Sequence, residues 1–126
     1  MSTLNVSNVS DGTTTVATTY VTNGSAKAWC TLSMSGAEIK DSFNCGSATD
    51  IATGRFTVAL TNDMSDVNYA VTSSAISHAD ANNGSNRTSG ATSYQVGAVY
   101  INGMLTSTGV NNDVASCAFT ANGDLA

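Results

Sequence analysis

Residues 55–61 read Arg-Phe-Thr-Val-Ala-Leu-Thr, and this stretch decides the fold class. Its large apolar side chains, Phe56, Val58 and Leu60, recur at every second position. Because successive side chains of a β-strand point to opposite faces, these three share one face and the polar residues share the other. The stretch therefore predicts a strand with one face buried in a core and one face directed outward.

The same alternation continues on both sides of this strand. Residues 28–34 place their Ala, Cys, Leu and Met on one face, and residues 39–45 are expected to place Ile39, Phe43 and Cys45 together. Residues 94–101 and 114–119 are apolar on both faces, which is typical of strands that are covered on both sides. Asn-Gly and Asp-Gly pairs tolerate the positive φ angles of tight turns, and turns are predicted where they separate the runs, at Asp11-Gly12, Asn23-Gly24, Asn83-Gly84, Asn102-Gly103 and Asn122-Gly123.

These patterns predict an all-β fold, an antiparallel, jelly-roll-like β-sandwich of about eight short strands. The strands are expected near residues 4–9, 14–20, 27–34, 38–45, 54–61, 68–76, 92–101 and 113–120. The chain shows no helical periodicity of any length and has no proline. Residues 1–25 have too few apolar anchors to hold a core, so they are predicted to be a polar N-terminal strand and attachment segment, and residues 26–126 the sandwich domain.

Uncharged polar residues dominate the composition. Ser, Thr and Asn account for 48 of the 126 residues, while only 10% are charged, where about 25% is usual. The formal net charge is -5, with four Lys and Arg. Nucleic acids and anionic membranes attract clustered cations, so neither partner is expected. There is no apolar run of the roughly 20 residues that span a membrane and no signal-peptide pattern, which favours synthesis in a bacterial cytoplasm.

The ionisable residues give no support to an enzyme. Most of the nine Asp and Glu residues lie in turn-like contexts, where Asp caps its own backbone. The single histidine, His78, excludes a histidine cluster for zinc and weakens any Ser-His-Asp triad. Residues 62–66 or 111–113 could offer oxygen ligands to calcium, but neither matches a calcium-binding loop. The sequence predicts a protein that is not an enzyme and that has no cofactor and no metal.

The cysteines and the one tryptophan are interpreted as packing residues. Cys30, Cys45 and Cys117 are odd in number and lack CxxC spacing, so burial as small hydrophobes is favoured over a native disulfide. Alternation directs Trp29 away from the main core. Packing under the N-terminal segment or a second sheet is the favoured interpretation, and an oligomer interface or a sugar-stacking platform are the alternatives.

Several short motifs within residues 27–71 resemble, in their order, a module of tail-fibre proteins from tailed bacteriophages, especially marine ones. They are Ala28-Trp29, Ser42-Phe43-Asn44, the Thr49-Asp50 turn, Gly54-Arg55-Phe56-Thr57-Val58 and Met64-Ser65-Asp66-Val67-Asn68-Tyr69. The resemblance covers roughly residues 1–76, returns at 111–119 and stops in between, at 77–93. It implies a virion protein at a tail or fibre tip, assembled as a homotrimer, without catalytic residues.

The segment 77–93, where the resemblance stops, is predicted to contact the host surface. The expected contact residues for a surface glycan or protein are His78, Asp80, Asn82, Asn83, Asn86, Arg87 and Tyr94. Residues 1–25 are expected to bind other virion tail proteins. The alternatives are a purely structural virion subunit (a decoration, collar or adaptor protein) and, with least support, a glycan-cleaving depolymerase.

Overall fold

A computed structural model of the chain describes residues 2–76, 87–106 and 108–126. Ten strands and one helix are present in these ranges. They are β1 (Asn8–Ser10), β2 (Thr15–Ala17), α1 (Thr18–Gly24), β3 (Ala28–Ser33), β4 (Glu38–Phe43), β5 (Cys45–Ala52), β6 (Arg55–Leu60), β7 (Ala70–Ile76), β8 (Arg87–Gln95), β9 (Ala98–Leu105) and β10 (Ser116–Asn122).

Eight of the strands form two four-stranded antiparallel sheets. The order is β4-β3-β10-β7 in the first, which we call sheet I, and β5-β6-β9-β8 in the second, sheet II. The inward-facing side chains of both sheets form one hydrophobic core: Ala28, Cys30, Leu32, Met34, Phe56, Val58, Leu60, Met64, Tyr69, Val99, Ile101, Val114, Cys117, Phe119 and Ala121. The predicted antiparallel β-sandwich is confirmed.

Alternation assigned the two central strands correctly. In β6, Phe56 and Val58 are almost completely buried, while Arg55, the first residue of the strand, is exposed. In β3, burial alternates at every position, with Cys30 and Leu32 inside. Burying a Phe, Leu or Val side chain contributes about 1.5–3 kcal/mol, so these inward residues fix which face of each strand meets the other sheet.

The predicted facing of residues 39–45 is correct for Ile39 and Cys45, which both pack against the core, and wrong for Phe43. Ile39 pairs with Leu32 and packs on the core, but a β-bulge follows, after which Asp41 pairs with Thr31 and Phe43 with Trp29. A bulge adds one residue to one strand, so every later side chain of that strand changes face. Phe43 consequently points outward beside Trp29 and is 54% exposed.

Asn44 carries the chain from sheet I to sheet II. Its φ of 57° is left-handed, a conformation that Asn adopts more readily than other non-glycine residues. Its side chain holds the crossing in place, because Oδ1 accepts a hydrogen bond from the Asn62 backbone N–H at 2.7 Å and Nδ2 donates to the Asn62 carbonyl at 3.0 Å. The Ser-Phe-Asn motif thus ends at the point where the strand leaves its sheet.

Substitutions at Asn44 should separate backbone strain from side-chain hydrogen bonding. Asn44→Ala should lower the free energy of unfolding by about 2–3 kcal/mol, because it loses the bonds to Asn62 and places a Cβ-bearing residue without compensation in the left-handed region. Asn44→Gly removes the strain and should cost about half as much. Urea unfolding measures both, and an Asn44→Gly variant less stable than Asn44→Ala would contradict this assignment.

Three further expectations from the sequence are wrong. Residues 92–101 belong to two strands, β8 and β9, which are joined by a turn at Val96 and Gly97. Thr49-Asp50 lies inside β5 and is not a turn. Asn102-Gly103 lies inside β9, where glycine is required by close packing: a Cβ at Gly103 would lie 2.7 Å from the Asn112 carbonyl oxygen.

The N-terminal element consists of β1, β2 and α1. The turn at Asp11-Gly12 is as predicted: Asp11 Oδ1 accepts the backbone N–H groups of Thr13 and Thr14, and these bonds lower the pKa of the Asp11 carboxyl. The strand that was predicted over 14–20 ends at Ala17, and α1 begins at the next residue, Thr18. Seven residues are too few to reveal a helical period, and the start of α1 is fixed by the bond from the Thr18 N–H to the Ser7 carbonyl.

The described part of the N-terminal element has no buried residue. It joins the sandwich through the bond from Asn122 Nδ2 to the Gly24 carbonyl at 3.2 Å, and immediately before β3 the Lys27 N–H donates to the Ala121 carbonyl at 2.8 Å. Within the described ranges, no helix has the length and apolar character needed to cross a membrane.

Candidate binding face on sheet I

The outward side of sheet I carries two large aromatic side chains next to each other. Trp29 of β3 lies directly opposite Phe43 of β4 in the antiparallel register. Residues in this relation have Cβ atoms about 4.5–5.5 Å apart. Trp29 is half-buried and Phe43 is 54% exposed, so both rings remain partly accessible to solvent.

The register extends this aromatic pair into a row across the whole sheet. Trp29 also lies opposite Thr120 of β10, and Thr120 lies opposite Thr72 of β7. The row from Phe43 to Thr72 therefore crosses all four strands. At the usual spacing between strands it is about 14 Å long.

A second row runs parallel to the first. It contains Asp41, Thr31, Ala118 and Ser74, which are paired in that order across the four strands. We call the eight residues of the two rows the aromatic face. Beyond the aromatic pair they are small and carry mainly hydroxyl groups, so the surface is flat and polar next to the rings.

The half of the aromatic face away from Phe43 contains a shallow depression of about 160 Å³. It is lined by residues of β7 and β10: Thr72, Ser73, Ser74, Ala118, Phe119 and Thr120. The hydroxyl groups of the Thr and Ser residues can each donate one hydrogen bond and accept others. The exposed lining of the depression is mainly apolar, so it offers a few hydroxyl groups next to carbon surface.

Asp41 is the one ionisable side chain in the two rows. It is exposed, and its Oδ1 accepts a hydrogen bond from the Ser42 backbone N–H at 2.9 Å. The neighbouring Glu38 and Lys40 side chains form an ion pair with each other. The aromatic face therefore has little net charge, and Asp41 retains lone pairs that can accept hydrogen bonds from a ligand.

This combination of groups suits a carbohydrate. The C–H face of a sugar ring is apolar and packs on an aromatic ring, which supplies a large contact area with few rotatable bonds. The hydroxyl groups of the same sugar exchange hydrogen bonds with Thr, Ser and carboxylate oxygens. Sites of this kind need no buried charge and no movement of the sheet.

The structure argues against one predicted environment of Trp29, which is packing under a second sheet. Sheet II packs on the inward side of β3, where Cys30 and Leu32 are buried, so it does not cover Trp29. Packing against the N-terminal segment, an oligomer interface and a sugar-stacking platform stay as predictions. Phe43 was not among the predicted site residues, because its outward orientation depends on the β-bulge in β4.

The predicted contact residues fall mainly outside the described ranges. His78, Asp80, Asn82, Asn83 and Asn86 lie there, and Arg87 is the first residue of β8. Tyr94, also in β8, belongs to sheet II and so is not part of the aromatic face.

Tyr94 lies at the edge of the core and is 37% exposed. Its ring packs on that of Tyr69, with centroids 5.2 Å apart and planes tilted by 50°. The Tyr69 hydroxyl lies 2.9 Å from the Gln95 carbonyl oxygen and 3.0 Å from that of Ala98, and burial raises the Tyr69 pKa. These contacts fix the β8–β9 turn and hold Tyr94 in a defined position.

The acidic residues that were considered as calcium ligands have structural contacts. Asp66 Oδ1 accepts a hydrogen bond from the Asn68 N–H at 2.6 Å, and Asp113 Oδ1 accepts one from the Gly54 N–H at 2.6 Å. In the part of the chain that the structure describes, no three His, Cys, Asp or Glu residues are grouped as metal ligands would be. Asp66 and Asp113 are therefore assigned to the support of turns.

No protein-family model matches the chain, and neither a curated protein nor a solved structure is significantly similar to it.

Proposed function

We propose that this chain is a virion protein of a tailed bacteriophage, a tail-fibre or tail-tip domain that binds a glycan of the host cell surface without catalysis. The aromatic face carries the proposal: Trp29 and Phe43 lie side by side and partly exposed on a flat, hydroxyl-rich and nearly uncharged sheet surface. Aromatic rings flanked by hydrogen-bonding groups fit a saccharide better than a nucleic acid or an anionic membrane.

The proposed glycan-binding surface lies on sheet I, whereas the sequence predicted contacts in the segment 77–93. Tyr94 is 37% exposed, and it follows that segment in β8, so a second contact region there is compatible with the first. Assembly as a homotrimer would present three aromatic faces. Linked weak sites increase the overall affinity by avidity, which suits a surface that offers many copies of the same glycan.

A second candidate function is that of a structural virion subunit, such as a decoration, collar or adaptor protein. The N-terminal element favours it. Leu4, Tyr20 and Val21 are exposed by 84%, 76% and 53%, and isolated short hairpins and seven-residue helices are marginal in water. An element of this kind gains stability by packing on another protein, either a second copy of the chain or a neighbouring virion protein.

Adsorption to bacterial cells distinguishes the two functions. Fluorescently labelled protein should bind to cells of a susceptible strain, and purified surface polysaccharide of that strain should compete. Deletion of residues 82–86, which leaves β8 whole, tests the contribution of the segment between β7 and β8. Protein that binds no strain susceptible to the phage, but that is located by immuno-gold labelling in a collar or capsid position, would support the structural function and refute recognition.

A further inference from the structure

The three cysteines of the chain lie close together in the sandwich. Cys30 in β3 and Cys117 in β10 are buried in sheet I, and Cys45 is half-buried at the start of β5 in sheet II. Cys45 Sγ lies 3.4 Å from the carbonyl oxygen of Trp29, the residue before Cys30. All three are free thiols in the structure.

Cys30 and Cys45 are the pair that can meet. Cys45 packs against the hydrophobic core that contains Cys30, and its Sγ donates a hydrogen bond to the carbonyl of the residue that precedes Cys30. The register also brings them together, because Cys30 lies opposite Ser42, whose Oγ donates to the Cys45 carbonyl at 3.4 Å. The chain thus folds Cys45 back onto the strand that carries Cys30.

Cys117 is placed too far from Cys30 for a bond. Cys30 lies opposite Phe119, and Cys117 lies opposite Leu32, so the two cysteines are diagonal neighbours on adjacent strands. Diagonal Cβ atoms are separated by up to about 7–8 Å, whereas a disulfide requires about 3.5–4.5 Å. Burial raises the pKa of Cys117 to about 12, which keeps it protonated and unreactive.

Cys45 is the thiol suited to react first. Interaction between the two neighbouring thiols lowers the pKa of Cys45, and the same interaction together with burial raises the pKa of Cys30. The thiolate is the reactive form of cysteine. Cys45 is also the more accessible of the two, since it is half-buried while Cys30 is almost completely buried.

We propose that Cys30 and Cys45 form a reversible disulfide that joins sheet I to sheet II when the protein meets a low-molecular-weight disulfide such as oxidised glutathione. The Cys45 thiolate attacks one sulfur of glutathione disulfide and releases one glutathione thiolate, which leaves a mixed disulfide. Cys30 then gives up its proton to solvent and attacks Cys45 Sγ. The second glutathione leaves, so two protein thiols are oxidised and one glutathione disulfide is reduced.

The bond would join strands that are not neighbours in either sheet. It closes a loop of about 15 residues and restricts the unfolded chain accordingly. The oxidised protein should therefore melt at a higher temperature than the reduced protein, by on the order of 10 °C. The proposal concerns the chemistry of the sandwich alone, so it stands or fails independently of host recognition.

Mass spectrometry of the folded chain tests the proposal. The wild-type protein is incubated with oxidised glutathione without denaturant, quenched with acid, unfolded and treated with N-ethylmaleimide. We expect loss of two hydrogen atoms, a single maleimide group on Cys117 and a cross-linked peptide pair containing Cys30 and Cys45. Dithiothreitol should reverse the change. Three maleimide groups, or a cross-link that involves Cys117, would overturn the proposal.

Variants test the order of the two steps. Cys30→Ser should stop at the mixed disulfide of glutathione with Cys45, and Cys45→Ser should not react, because the remaining two thiols are buried. Cys117→Ala is the matched control and should oxidise like the wild type. Oxidation of Cys45→Ser at the wild-type rate would refute the role of Cys45, and an oxidised wild-type protein that melts no higher than the reduced one would refute the stabilising link.

Discussion

Gly54→Ala should destabilise the sandwich by about 2–5 kcal/mol, more than a typical single substitution. Gly54 is buried in the turn between β5 and β6 and has a φ of 66°, which is left-handed. A Cβ there would lie 2.5 Å from the Asn112 N and 2.6 Å from the Gly103 carbonyl oxygen. Backbone strain and overlap with backbone atoms therefore act together, and neither neighbour can move away as a side chain could.

Gly54 is also a centre of hydrogen bonding. Its N–H donates to Asp113 Oδ1 at 2.6 Å, and its carbonyl accepts the Gly103 N–H at 2.8 Å. The Gly103 carbonyl in turn accepts the Asn112 N–H at 2.9 Å. A displacement of Gly54 would weaken all three bonds, each worth about 0.5–1.5 kcal/mol.

Gly109→Ala is the matched control for this prediction. Gly109 has nearly the same φ, 67°, but a Cβ there would meet no atom within 4 Å. Its substitution should cost only the backbone strain, about 1–2 kcal/mol. Urea unfolding of both variants isolates the effect of close packing, and a Gly54→Ala variant no less stable than Gly109→Ala would show that the turn is not packed as described.

The double substitution Trp29→Ala and Phe43→Ala should reduce affinity for the host glycan by roughly 100-fold or more. Aromatic residues at the centre of binding surfaces typically cost about 2 kcal/mol or more when truncated, and their effects are not strictly additive. Each single variant should lose roughly 10- to 30-fold. Both side chains point away from the core but are about half buried, so the free energy of unfolding should fall by about 2–3 kcal/mol.

Two controls separate this effect from a general loss of surface aromatics and from a loss of assembly. Tyr20 is 76% exposed on α1, outside sheet I, so Tyr20→Ala should retain glycan binding. The oligomeric state is measured for every variant by light scattering. If the double variant binds normally, or if it loses binding only because the oligomer dissociates, then the aromatic face is not the recognition surface.

The sequence predicted the parts of the fold that depend on regular alternation. In β3 and β6 every second residue is apolar, and burial in the core follows that period at each position. The facing of Trp29 was predictable for the same reason: it alternates with Ala28 and Cys30, which are buried. The turn at Asp11-Gly12 was predictable from local chemistry alone, since Asp11 caps the backbone that follows it.

The parts that could not be predicted depend on contacts between distant residues. The bulge in β4 follows from the pairing of Ile39 with Leu32 and of Asp41 with Thr31, and nothing local to residues 38–43 marks it. Asn102-Gly103 has the composition of a turn, yet it lies in a strand because Asn112 and Met34 pack against Gly103. The helix α1 starts where Thr18 binds Ser7, which is a contact between residues far apart in sequence.

The error at Phe43 explains why sheet I was not expected to carry the site. With Phe43 assigned to the core face, Trp29 was an isolated aromatic residue, and its interpretation as packing was reasonable. The bulge directs the Phe43 side chain outward, next to Trp29, and so creates the aromatic pair. The proposed site is therefore centred on sheet I and not on residues 77–93.

Fluorescence of Trp29 tests the proposed recognition most directly, because Trp29 is the only tryptophan in the chain and its emission reports the aromatic face alone. The wild-type protein is titrated with purified surface polysaccharides of bacterial strains, and binding is measured in parallel by sedimentation. We predict that a polysaccharide that binds will change the emission of Trp29 with a saturable dependence on concentration, and that Phe43→Ala will weaken this response. A polysaccharide that binds in the sedimentation assay but leaves the emission of Trp29 unchanged would contradict recognition by this face.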